Sequence, residues 1–145
     1  MIKYFFALDY YKDDGGFFGL GIFSCLKTAR KKQKQVENQP GFRDNPNNFK
    51  ITRCGVKFDD NAVVKKSEAV LYCVLLDYEE TIDGEIYDSF FNFGYYATER
   101  EAQEVLEYQK KHSREGKKHP EGFSIDWGHV DDYNAWSKGF VPWDE

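Results

Sequence analysis

The chain reads as an α+β protein built from two tandem strand-strand-helix-strand units, forming together a six-stranded, two-helix domain with pseudo-twofold symmetry. Three observations predict this: an internal duplication, apolar alternation of period two at the start of each half, and a capped amphipathic helix inside each half. At an offset of 68, Tyr4, Phe6, Leu8, Asp9 and Tyr10 fall on Tyr72, Val74, Leu76, Asp77 and Tyr78. At 73, Gly21, Phe23, Lys27 and Ala29 fall on Gly94, Tyr96, Arg100 and Ala102, and at 74 Pro46, Phe49 and Ile51 fall on Pro120, Phe123 and Ile125. At 72 the pair Asp59, Asp60 falls on Asp131, Asp132. The offset changes only where loops are expected, which is where insertions are tolerated. The repeats span 1–60 and 68–145 of a single domain, 1–145.

In the first repeat, Ile2, Tyr4, Phe6, Leu8 and Tyr10 form one face of a strand, and Phe5 and Ala7 make the other face partly apolar, the pattern of a central strand. Asp-Asp-Gly-Gly within 12–16 has the composition of a hairpin turn, and 17–23 returns as strand two. Ser24 supplies an oxygen suited to cap a helix whose inner side is Leu26, Ala29, Gln33 and Val36. That helix stops before Pro40-Gly41, and strand three follows over 49–58. In the second repeat Thr98 and Glu101 make a T-x-x-E capping box, and Ala102, Val105 and Leu106 are the buried helix face. Strand three there is 123–130, followed by a tail with Tyr133, Trp136, Phe140 and Trp143. A helical crossover makes strand three parallel to strand two, so strand three beside strand one gives an antiparallel three-stranded sheet with the helix on one face. Tyr72, Val74, Leu76, Phe49, Ile51, Phe123 and Ile125 are the expected core.

The composition suits one folded domain. Of 145 residues, 41% are hydrophobic and 18% aromatic, and with a single Met the core must be filled largely by Phe and Tyr rings. The apolar runs 4–8 and 69–76 are far short of the ~18 to 20 residues of a membrane helix. The amino terminus does not read as a secretory signal, and three cysteines without a C-x-x-C suit a reducing compartment, so a cytoplasmic location is expected. Cys54 and Cys73 read as small core residues. Cys25 stands where a helix begins and amide dipoles favour a thiolate, but no His or Lys beside it in sequence completes a nucleophile.

The stretch GIFSCLKTARKKQKQVENQPGFRDNPNNFKI, Gly21 to Ile51, resembles a family of small uncharacterised bacterial domains. In that family a Gly-Ile-Tyr-Ser helix start is followed by Pro-Gly-Phe-Arg-Asp, a proline, a phenylalanine and a strand. Those domains close with Trp-x-x-Gly-Phe, matched by WSKGF at Trp136 to Phe140 in the second repeat only; the first ends in DDNAVVKKSE. The second repeat keeps Gly94, Pro120, Gly122 and Phe123 but not the Pro-Gly-Phe-Arg-Asp run. The family's general look, small, single-domain and often near toxin genes, is similar to bacterial immunity proteins. The resemblance therefore implies a class, an immunity protein or antitoxin, without naming a partner. Physically, Pro40-Gly41 suits a turn, and Arg43 and Asp44 can pair or hold backbone groups in the loop before strand three.

Charge is divided unevenly. Residues 1–66 carry 13 Lys and Arg against 7 Asp and Glu, whereas residues 67–145 carry 7 against 18. Asp77, Glu79, Glu80, Asp83, Glu85 and Asp88 place six carboxylates in twelve residues, with no Arg or Lys between Lys66 and Arg100. Such a hairpin, flanked by Tyr78 and Tyr87, repels nucleic acid and anionic membranes and attracts a basic protein. Lys27, Arg30, Lys31, Lys32 and Lys34 crowd the first helix, a cluster that can track phosphates. The acidic whole and the lack of any RNP-like, helix-turn-helix or zinc-finger motif argue against nucleic acid. Lys27, Arg30, Lys31 and Lys34 also form an outer surface complementary to the acidic half of a neighbouring copy, a route to a homo-oligomer.

Catalytic signatures fail. His112, His119 and His129 lack metal-ligand spacing, the glycines of 15–21 run into a strand rather than opening a helix, and G-x-S-x-G is missing. The expectation is a binding protein without cofactor or metal that neutralises a basic protein partner, such as a nuclease toxin. Its binding residues are Asp77, Tyr78, Glu79, Glu80, Asp83, Glu85, Tyr87 and Asp88. The alternative is a small-molecule sensor with an aromatic-lined cleft between the repeats.

Overall fold

The structure is a computed structural model that describes residues 1–13, 16–134 and 139–140. Its main elements are β1 (Ile2–Tyr11), β2 (Phe17–Phe23), α1 (Leu26–Val36), β3 (Phe49–Lys57), β4 (Val70–Ile82), β5 (Glu85–Tyr96), α2 (Glu99–His112), α3 (Arg114–Lys118) and β6 (Phe123–His129). The α+β duplication read from the sequence is what the chain adopts, with the five-residue α3 added in the second repeat. Each repeat forms an antiparallel three-stranded sheet, in the order β2-β1-β3 and β5-β4-β6, with its first strand central. Trp136 and Trp143, and the Asp14-Gly15 pair of the first turn, lie outside the described residues.

The equivalence extends to local geometry. Gly21 and Gly94, aligned by sequence, both have positive φ (141° and 112°) beside a shift of strand register, between Leu8 and Asp9 and between Cys73 and Leu75. A Cβ at Gly21 would lie 3.0 Å from the Phe23 ring, and one at Gly94 would lie 3.0 Å from the Tyr96 hydroxyl. These are bulge glycines, needed for both backbone and space. Pro46 and Pro120 each open a single 3₁₀ turn that delivers Phe49 or Phe123 into the last strand of its repeat.

Alternation gives each sheet two apolar faces. One packs on the repeat's own helix: Leu8, Tyr10, Leu20 and Phe23 meet Ala29, Val36 and Phe42, and Val74 meets Ala102 and Leu106. The other faces meet between the sheets, where Phe5, Ile22 and Val56 pack with Leu71 and Val130. The result is four layers, helix, sheet, sheet, helix, with β2 near β6 and β3 near β5 as a twofold relation requires. Val74 and Leu76 are fully buried as expected, while Tyr72, Phe49, Ile51, Phe123 and Ile125 are half-buried and pack against the same clusters. Leu71, Cys73 and Leu75 are buried by the opposite sheet.

Two details differ from the sequence reading. The residue capping α1 is Cys25, not Ser24. Ser24 instead donates its amide (2.9 Å) and hydroxyl (2.6 Å) to the Asp131 carboxylate, which arrives from the second repeat and serves the α1 terminus from a distance. Lys32, grouped in the sequence with the basic cluster of the first helix, is fully buried; its Nζ donates to the Tyr133 carbonyl at 2.8 Å, and burial pushes its pKa down. Phe140 continues this docking: its amide donates to the Pro40 carbonyl at 2.9 Å, and its ring lies 4.9 Å from Phe42 and 4.8 Å from Phe18. The Gly-Phe closing the second repeat thus packs on the Pro-Gly-Phe loop of the first.

Candidate functional site: an acidic hairpin and the seam beneath it

β6 pairs with β4 only from Val70 to Leu76, whereas the β4–β5 ladder continues to Ile82 and Glu85. The segment beyond Leu76 is therefore a two-stranded projection, and it carries all eight residues expected to bind a partner. Its turn, Asp83-Gly84, has positive φ at both residues (52° and 82°), the two-residue form matching strand twist. Asp83 thus has a conformational role besides its charge.

Register sorts the remaining residues onto two faces. Glu79 opposes Asp88, and Thr81 opposes Ile86; these alternate with Glu80 opposite Tyr87 and Ile82 opposite Glu85. Like charges directly across a ladder destabilise it, so the Glu79–Asp88 pair costs the hairpin stability. Asp77, Tyr78, Glu79 and Asp88 line a groove of about 640 Å³ between this hairpin and the β1–β2 hairpin, with Lys12, Phe17 and Phe90 also on its walls. Phe90 stacks on Phe17 with ring centroids 3.7 Å apart and so ties the projection's base to the first repeat. Burial, then the nearby Asp126 and Asp88, push the Asp77 pKa up.

Glu80, Asp83, Glu85 and Tyr87 lie outside the groove, towards the tip. The Tyr87 hydroxyl donates to Glu85 at 2.6 Å, and Ser89 donates to Glu80 at 3.3 Å. Ile82, Ile86 and Tyr87 are exposed among these carboxylates, which places apolar surface within a charged rim. Tyr78 stacks on His119 at 4.2 Å, and Phe91 follows at 6.2 Å, giving a row of rings at the hairpin's foot.

The groove adjoins a second depression, of about 320 Å³, in the seam between the sheets; the two share Phe17, Gly19, Leu75 and Asp126. Asp9, Cys73, Asn92, Tyr95 and Gly128 line the inner one. Burial pushes the Asp9 pKa up to about 6, with Lys50, its neighbour across the β1–β3 ladder, opposing the shift. Asn92 is clamped, accepting from the Gly94 amide (2.8 Å) and the Cys73 thiol (3.3 Å). Burial pushes the Cys73 thiol up to about 12, so it stays protonated and unreactive. Sequence reasoning singled out none of these residues as a site, although Asp9 broke an apolar strand and recurred as Asp77. No helix among the described residues is long and apolar enough to cross a membrane. Comparison of the chain with family models, curated proteins and solved structures finds no match among them.

Proposed function

We propose that the protein is a non-catalytic binding protein that neutralises a basic protein partner, a bacterial toxin such as a nuclease, through the projecting β4–β5 hairpin. The observation that carries this reading is the concentration of six carboxylates on a two-stranded projection, with exposed Ile82, Ile86 and Tyr87 between them. A toxin that grips phosphate must display Lys or Arg at its own site, and a carboxylate array on a narrow projection can enter such a cleft. The charges steer encounter, while rings and branched aliphatics exclude water and slow release. The unfavourable Glu79–Asp88 pairing costs the hairpin stability, a cost that a binding role for its charge would offset.

The test replaces Asp77, Glu79, Glu80, Asp83, Glu85 and Asp88 by Asn or Gln, leaving shape and the Asx-compatible turn intact. The fold is confirmed by circular dichroism. Cells expressing a candidate toxin from a neighbouring gene should then lose protection, while the wild type protects. Full protection by the substituted protein would place the binding surface elsewhere.

A further inference from the structure

Mid-strand glycine weakens a strand, and it commonly marks a bulge or a close approach of another group. Gly19 in β2 and Gly128, the penultimate residue of β6, both lie within strands, and neither has the positive φ that would demand glycine. Neither is crowded: a Cβ on Gly128 would meet nothing within 4 Å, and one on Gly19 only the Asp9 carboxylate, at 3.8 Å. Both line the 320 Å³ cavity in the seam between the sheets. Gly19 flanks the β2 bulge, opposite Asp9, yet neither φ nor crowding requires glycine at it or at Gly128, and the missing side chains leave room in the cavity. This differs from Gly21 and Gly94, which the bulges require.

The walls specify what would fit. Asp9, Asp126 and Asp132 supply carboxylates, and neither Lys nor Arg lines the cavity. Asp9 accepts no hydrogen bond from the described residues, and Lys50, its cross-strand neighbour, makes no ion pair with it among them. Tyr95, Leu71 and Leu75 provide an apolar floor. Among the described residues no three His, Cys, Asp or Glu side chains converge closely enough to hold a metal ion. We propose that the seam between the two sheets is a binding site for a small organic cation, an amine or guanidinium on a short apolar body, with its charge at Asp9 and its body between Gly19 and Gly128. This goes beyond the hairpin reading and stands without it. Cation attraction by a desolvated carboxylate and an aromatic wall is the recognition chemistry it uses.

The experiment is titration of the full chain with agmatine and phenethylamine, followed by backbone amide NMR, with 2-phenylethanol as the neutral counterpart. Both cations should shift the Gly19, Asn92, Tyr95 and Gly128 amides in a saturable manner, and phenylethanol should bind at least tenfold more weakly. Gly128→Val fills the cavity without altering charge and should abolish saturation; Gly128→Ala, the gentler change, should weaken it at least threefold. Asp9→Asn should weaken both cations about tenfold. Binding unchanged in the folded Gly128 variants, equal binding of phenylethanol, or no saturable shift at these amides would each overturn the proposal. Neither Gly128 variant should alter protection from a toxin, so failure here is distinct from failure of the hairpin reading.

Discussion

In the first repeat the slot beside Tyr10 and Phe18 holds Phe140, at centroid distances of 5.8 and 4.8 Å, and Phe42 closes it from behind. At the corresponding place in the second repeat, Tyr78 stacks on His119 and on Phe91, and 43% of Phe91 remains exposed. The helices differ in the same way. α1 receives Asp131 and Tyr133 from the other repeat, and the loop after it receives Phe140, whereas α2 is capped locally by Thr98, whose hydroxyl accepts from the Glu101 amide at 3.2 Å. The hairpins diverge too, for the β1–β2 ladder ends at Tyr11 and Phe17 while β4–β5 runs well past its sheet. Duplication has thus yielded one repeat closed over by the chain's end and one whose rings and carboxylates are left on display.

This contrast can be broken by mutation, beginning with the cores. Phe42→Ala removes a fully buried ring packed against Tyr10, Phe49 and Phe140, and should cost ~3 to 5 kcal/mol in denaturant unfolding. Phe123→Ala, at a half-buried site in the second repeat, should cost about 2 kcal/mol. Equal losses would mean that the repeats are closed to the same degree.

Asp9 sharpens the comparison from the seam. Its folded pKa lies above the usual carboxylate value, so between about pH 4 and 6 the native state binds more protons than the unfolded one. Stability should therefore fall as pH rises through that window. Asp9→Asn should flatten this dependence and raise stability at pH 7 by about 1 to 2 kcal/mol. An unchanged pH profile in the variant would remove Asp9 as its cause.

The caps come next. Asp131→Ala loses the acceptor for Ser24 and a side chain tolerant of φ 62°, and should cost about 1 to 2 kcal/mol; Asp131→Asn, which suits that backbone, should cost less. Thr98→Ala, a local cap, should cost about 1 kcal/mol. The smallest effect is a gain: Glu79→Gln relieves the cross-strand repulsion with Asp88 and should raise stability by a few tenths of a kcal/mol at low salt, fading as salt rises.

What the sequence disclosed follows from which forces are local. Alternation in β1 and β4 and the Thr98 cap are set by neighbours within a few residues, and they were legible; Gly21 and Gly94 were legible as an aligned pair, but their bulges appear only in the strand register. The hairpin's charge was legible, but its division between groove and tip depends on where β6 stops pairing, at Leu76. The α1 cap was misread because Asp131 is 107 residues from Ser24 and no local pattern announces it. The burial of Lys32 was hidden for the same reason, since its Nζ donates to the carbonyl of Tyr133 from the other repeat. A cleft between the repeats was anticipated, but its lining was hidden, because Gly19 and Gly128 carry meaning only once two sheets face each other.

The most direct test of the central claim, that the displayed repeat captures a basic partner by charge, is the association rate as a function of salt. The partner is the toxin neutralised in the protection test, and binding is measured by stopped flow for the wild type and for the protein with all six hairpin carboxylates neutralised. The account predicts that the wild-type rate falls steeply between 20 and 300 mM salt, roughly ten- to hundredfold, while the neutralised protein associates slowly with a nearly flat dependence. Equal rates with equal salt slopes in the two proteins would contradict it.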